Sequence, residues 1–96
     1  MIGQLIGKPK EGYEGTIIID AGGVGYQVRV PVRLNEQIMT SPCATLYIHT
    51  HVRDDALDLY GFSNKEELQL FKMLINVSGI GPKTAINILN MDAFKI

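Results

Sequence analysis

Between Ile2 and Phe62 apolar and polar residues alternate with a period of two, in short runs broken by glycine, proline and acidic residues. That period marks strands, because successive side chains leave a strand on opposite faces. Ile2 to Ile6 predicts a first strand, followed by a polar turn at Lys8-Pro9-Lys10-Glu11-Gly12. Tyr13 to Asp20 predicts a second, and Ala21-Gly22-Gly23 is a hairpin signal leading to a third, Val24 to Val30. In the third strand Val24, Tyr26, Val28 and Val30 share one face, with Gln27 and Arg29 on the other. A longer connection containing Pro31 and Pro42 leads to a fourth strand, Ala44 to His51, and Leu57 to Phe62 makes a fifth. In the fourth, Ala44, Leu46, Ile48 and Thr50 face one way and Tyr47, His49 and His51 the other, with Arg53 at the hairpin end.

Five short strands without a helical crossover predict a mainly β fold, a five-stranded barrel of the oligonucleotide-binding type over residues 1–63. A small barrel of another topology competes with it, because alternation does not set strand order.

After Ser63 the period lengthens. Leu68, Phe71, Leu74 and Ile75 recur at helical spacing, and Ala85, Ile86, Ile88 and Leu89 begin a second apolar helix. Asn64 is a candidate N-cap, and Glu67 three residues on makes a capping-box pattern; Lys65-Glu66-Glu67 is otherwise a polar first turn. Between the helices lies Val77-Ser78-Gly79-Ile80-Gly81-Pro82-Lys83-Thr84-Ala85. Its glycines permit a tight link and close helix packing. Pro82 suits the first turn of the second helix, where its missing N–H costs nothing. Free amides after Gly81 and the positive end of the helix dipole then converge beside Lys83 and Thr84, which makes a phosphate-binding device built mostly from backbone. Such a device grips DNA without reading sequence. Residues 64–96 thus form an α appendage with one helix-hairpin-helix, the competing account being a helical hairpin whose glycines serve packing alone. A P-loop is excluded, because it needs a leading strand and a glycine directly before Lys-Ser/Thr, where Pro82 stands.

Charge qualifies this picture. Nine Lys/Arg stand against ten Asp/Glu, a net charge of −1, so any DNA-binding face must concentrate its cations locally. A hydrophobic content of 46% in 96 residues allows a small core. Cys43 is the single cysteine, which rules out an intramolecular disulfide and favours a reducing compartment. No basic segment with a long apolar run opens the chain, and runs such as Ile17-Ile18-Ile19 are too short to cross a membrane. The expectation is a cytoplasmic protein with no membrane partner and no cofactor. His49 and His51 are half of a conceivable metal site near Asp54 or Asp55, the basis of a metal-dependent nuclease reading. Zinc needs three or four ligands, and solvent-exposed histidines account for the pair more simply. The expected site therefore contains no catalytic residue and no metal.

Four pieces in register carry a family resemblance. They are Met1-Ile2-Gly3-x-Leu5-x-Gly7; Gly22-Gly23-Val24-Gly25-Tyr26-x-Val28; Val52-Arg53-Asp54-Asp55-Ala56-x-x-Leu59-Tyr60-Gly61-Phe62; and Leu74-Ile75-x-Val77-Ser78-Gly79-Ile80-Gly81-Pro82-Lys83-x-Ala85. In that order and spacing the chain resembles the N-terminal part of the RuvA family of bacterial Holliday-junction-binding proteins. The resemblance implies a homotetramer that holds four-way junction DNA open and flat, without catalytic chemistry of its own, in recombination, repair and the SOS response. It implies as partners the hexameric AAA+ motor RuvB, which drives branch migration, and the resolvase RuvC. It also implies roles for particular residues. Gly79, Gly81, Lys83 and Thr84 match the phosphate-gripping hairpin, Asp54 and Asp55 match an acidic pin that separates strands at the crossover, and Arg53 matches the basic residue beside the pin. The family continues beyond this segment with a second hairpin and a domain that contacts the motor, so motor contact is expected to be lost here. One hairpin per subunit neutralises about two phosphates, a grip that depends on several copies acting together. The helices, lacking their usual apolar cover, are expected to be mobile, to dock on the barrel or to pack against a neighbour. Two other readings stand beside the junction binder: a DNA-binding module indifferent to DNA structure, and a protein-interaction barrel.

Overall fold

The structure, a computed structural model, describes residues 1–90; residues 91–96, where the expected hairpin unit ends, lie outside the described residues. Five strands, β1 (Gln4–Tyr13), β2 (Thr16–Ala21), β3 (Val24–Arg29), β4 (Ala44–Arg53) and β5 (Ala56–Phe62), close into a barrel in the order β1-β2-β3-β5-β4. All neighbours are antiparallel except β3 and β5, which run parallel through the pairs Val28–Leu59 and Arg29–Tyr60. This is the expected oligonucleotide-binding architecture, and the strand order removes the competing topology.

The first two strands depart from expectation. Lys8 to Gly12 is no turn: β1 runs straight through it, pairing its first half with β4 and its second half with β2. Closing a barrel requires one strand to serve both sheet halves, and a register shift between Pro9 and Glu11 bends β1 to do so. Pro9 stands beside that irregularity, where a missing ladder donor is tolerated. The turn falls instead at Glu14 and Gly15, both at positive φ, which cuts the predicted second strand and hands Tyr13 to β1.

The barrel interior holds Leu5, Ile17, Ile19, Val28, Val30, Leu46, Ile48 and Leu59. The proline-bounded connection is no plain loop. It contains a 3-10 turn (Val32–Leu34) and a short helix, α1 (Asn35–Met39), whose Leu34 and Ile38 join that core. Thr50, on the inner face of β4, is buried and polar. Its hydroxyl accepts from the Ile2 N–H at 3.1 Å and donates to the Ile2 carbonyl at 2.8 Å, so it is satisfied.

Of the three fates open to the helices, docking on the barrel is the one observed. Helices α2 (Lys65–Ile75) and α3 (Pro82–Leu89) form a second cluster in which Phe71, Ala85 and Leu89 meet Tyr60 and Phe62 on the outside of β5. The Phe71 ring is stacked on Tyr60 with centroids 5.3 Å apart, and lies 4.9 Å from Phe62 and 5.4 Å from His49. Phe71 is 0% exposed, and burial of such a ring stabilises docking by roughly 1.5–3 kcal/mol. The Asn64 cap forms as expected, its Oδ1 accepting from the Glu67 N–H at 2.8 Å. The capping box stays half made, because the Glu67 carboxylate turns away and accepts from Arg33.

Candidate nucleic-acid interface

Gly79, at φ +87°, makes the reversal between α2 and α3 with a backbone conformation that side chains resist. Gly81 is different. It is the N-cap of α3 at φ −93°, ψ 176°, an extended conformation open to any residue, so of the two glycines only Gly79 needs its conformational freedom for the link. Among the described residues, a Cβ at Gly81 would meet no atom beyond its chain neighbours within 4 Å, so none of them demands glycine there. The bare backbone leaves room for a close visitor. No side chain caps α3, no acid occupies its first turn, and Pro82 fills N1. The first N–H of the helix engaged within the motif is that of Ala85, on the Gly81 carbonyl at 2.9 Å, which leaves the Lys83 and Thr84 amides as the orphan donors of a helix start.

Between this helix start and the barrel lies a groove of about 330 Å³, lined by Arg29 of β3, His51 and Arg53 of β4, Asp58 and Tyr60 of β5, and Pro82 and Lys83 of α3. Two of the expected DNA contacts, Arg53 and Lys83, therefore face one concavity from opposite sides. Thr84 does not line it. Arg53 is 52% exposed and donates from Nη2 to Asp58 Oδ2 at 3.0 Å, an exposed pair that holds the side chain loosely. Tyr60 forms the floor. Burial pushes its phenol up from the ordinary value of 10, while the nearby Arg29 guanidinium opposes the shift, so the hydroxyl keeps its proton.

Asp54 and Asp55 form the two-residue turn between β4 and β5, directly beyond the Arg53–Ala56 pair, and both are exposed. They are absent from the groove lining. The tip stands about three rungs past Asp58, roughly 10 Å along the strand. Arg29, Arg53 and Lys83 line the groove together with the Asp58 carboxylate, while Asp54 and Asp55 stand beyond it at the turn.

Arg29 and Tyr60 are groove residues that the sequence did not single out, whereas His51 lies on the polar, aromatic face of the fourth strand that ends at Arg53. Arg29 was visible only as a cation on the polar face of its strand; its place in the groove comes from the parallel β3–β5 pairing beside Tyr60. His49 and His51 on the outer face of β4 are half-buried, not the solvent-exposed pair expected. His49 packs on Phe71, and the rings of His51 and Tyr60 meet nearly edge-on, 6.5 Å apart. The two histidine rings are 6.2 Å apart, and among the described residues no group of three His, Cys, Asp or Glu side chains is placed to hold a metal ion. The fragment of a metal site seen in the sequence gains no third ligand there. Burial, then His51, then Lys72 lower the His49 pKa from 6.5. Among the described residues no helix is long and apolar enough to cross a membrane.

The family profile described as RuvA N terminal domain matches residues 1–61. The Holliday junction branch migration complex subunit RuvA of Halothermothrix orenii is 47% identical over 97 residues, covering 99% of this chain and 48% of the relative. The subunit of the same name from Chromobacterium violaceum is 48% identical, covering 94% of the chain and 46% of the relative. That from Shewanella denitrificans is 46% identical, with 94% and 45% covered. The chain spans about half the length of the curated relatives it matches.

Proposed function

The chain belongs to the RuvA N-terminal domain family, and on that premise we propose that it is a non-catalytic scaffold for four-way junction DNA. The observation that carries this reading is the groove in which Arg29 and Arg53 of the barrel face Pro82 and Lys83 at the start of α3, with Asp54 and Asp55 at the turn beyond it. Phosphates bind the groove through guanidinium and ammonium groups and the free amides of α3, contacts that fix position without reading bases. The tip carries the opposite sign and repels the backbone. Continuous duplex offers phosphate wherever it runs, so it gains the groove and suffers the tip. At a junction the strands diverge, and the carboxylates fit where they part. The residue roles then follow: Gly79 shapes the link, Gly81, Lys83 and Thr84 receive a phosphate, Arg53 flanks the tip, and Asp54 and Asp55 act as the pin.

One groove per copy gives a weak, salt-sensitive grip, so the working form is a homotetramer that places four grooves around one junction. The partners are junction DNA, further copies of the chain, and the motor RuvB and resolvase RuvC in the cytoplasm, during recombination, repair and the SOS response. For the nuclease reading, no group of three His, Cys, Asp or Glu side chains among the described residues is placed to hold a metal ion.

The test is a gel-shift titration of a four-way junction against linear duplex of equal length at two salt concentrations, with light scattering for mass. The expected result is junction preference from a tetramer. A tetramer without preference would establish instead a module indifferent to DNA structure.

A further inference from the structure

Helix α3 carries the phosphate-binding end of the site, yet its buried side chains, Ala85 and Leu89, seat it mainly in the cluster around Phe71. A single residue of the barrel's connecting segment reaches both helices. Arg33, in the 3-10 turn, donates from Nη2 to Glu67 Oε1 in the first turn of α2. Its Nε donates to the Leu89 carbonyl at the last turn of α3, at 2.9 Å, and its backbone N–H donates to Asn90 Oδ1 at 3.3 Å. The guanidinium therefore neutralises a carboxylate at the start of one helix and satisfies an orphan carbonyl at the end of the other, where the dipole favours a cation. The planar fork suits this double task in a way an ammonium does not.

We propose that Arg33 is a positioning residue for DNA binding: it latches the two helices to the barrel and so aims the Gly81–Lys83 end of α3 across the groove toward Arg29 and Arg53. The inference rests on the function proposed above. Leu89 closes α3 at the opposite end from Pro82, seven residues or roughly 10 Å away along the axis. Fixing that end while Phe71 and Ala85 fix the middle leaves the helix one direction to point. Without the latch α3 swings about the aromatic cluster, and Lys83 no longer faces the arginines at a constant spacing. Arg33 does not line the groove, and its guanidinium is engaged by Glu67 and the Leu89 carbonyl, so the expected route of its effect on DNA is through α3.

Arg33→Ala, Arg33→Lys and Glu67→Gln, compared with the parent chain, test this by amide hydrogen exchange and by binding of a synthetic four-way junction over a salt series. Arg33→Ala is expected to speed exchange at the α3 amides while the β1–β5 ladders stay protected. Junction affinity falls by about tenfold, as for loss of a hydrogen bond to a charged group, and the salt slope drops by about one unit, the share of one phosphate. Arg33→Lys keeps the charge without the fork and recovers only part of both losses. Glu67→Gln keeps an acceptor for Nη2 and stays near the parent.

Faster α3 exchange with affinity and slope unchanged would overturn the positioning role, leaving Arg33 a purely structural tie. Parent-like exchange in Arg33→Ala would overturn the latch itself. If Arg33→Ala also loses barrel protection, Arg33→Lys decides: the same split between α3 exchange and slope is then required of it. A parent chain without salt-dependent junction binding overturns the DNA-binding reading, and α3 exchange still decides the latch.

Discussion

Strands β1–β5 close on themselves, and their core, from Leu5 to Leu59, needs nothing outside the barrel and its α1 plug. The pair α2–α3 is built the other way. Its apolar face is completed by Tyr60 and Phe62 of the barrel, its polar tie is Arg33, and its end at Gly81 faces open space. One region is stable by closure, the other by docking. The groove lies along their seam, drawing Arg29, His51 and Arg53 from the rigid body and Lys83 from the docked element. The geometry of a phosphate site there is set by how the hairpin sits, and the barrel can stay folded while that setting is lost.

The substitution expected to separate the two regions most strongly is Phe71→Ala. It removes a fully buried ring at the seam and should destabilise docking by about 3–5 kcal/mol. Hydrogen exchange should show α2 and α3 released while the β1–β5 ladders hold; simultaneous loss of both regions would mean that they fold as one unit. Gly79→Ala leaves the hairpin docked but strains its link. The site has open space, so the cost is that of positive φ alone, roughly 1–2 kcal/mol in a urea titration. Lys83→Ala spares stability and acts on binding, weakening it on all sequences and reducing the salt slope by about one unit. An unchanged slope would remove Lys83 from the phosphate contacts.

Asp54→Asn with Asp55→Asn sharpens the contrast from the barrel side. Repulsive carboxylates contribute no affinity, so junction binding should stay or tighten while discrimination against duplex weakens. A clear loss of junction affinity would count against the pin. The smallest expected effect is that of pH on the seam. His49 is lowered from 6.5 by burial under Phe71, so the unfolded state takes up its proton first as pH falls. Stability from this residue is fully present above pH 6.5 and declines as pH drops through the lowered folded value. Glu67, raised above 4.5 by burial against the opposing pull of Arg33, has the opposite sign in a more acid window. Urea midpoints at pH 7.5 and 5.5 should therefore fall further for the parent chain than for His49→Gln.

The barrel was legible in the sequence because alternation reports directly which residues face inward, and Ala44, Leu46, Ile48 and Thr50 do. Its errors came where local signals and closure disagree. Lys8-Pro9-Lys10-Glu11-Gly12 has the composition of a turn, but closure required a continuous strand, and a register shift reconciled the two. The hairpin was legible from its period and from Pro82, and Asn64 caps α2 as its position implies. The aromatic character of Tyr60 and Phe62 is visible in the sequence, but their role is not. Leu-Tyr-Gly-Phe loses polar alternation because β5 is covered on both faces, and only the docked helices show by what.

What the sequence determined by itself was local: strands from a period of two, helices from a period near four, a turn of two carboxylates, and a helix start bare of side-chain caps. Each follows from residues within a few positions of one another, where backbone geometry alone decides the outcome. What the tertiary structure decided was every meeting across distance. Parallel pairing brought Arg29 to Tyr60, docking brought Lys83 opposite Arg53, and Arg33 reached Glu67 and Leu89 across 34 and 56 positions. Such contacts depend on barrel closure and on how two apolar faces fit, quantities that no periodicity along the chain encodes.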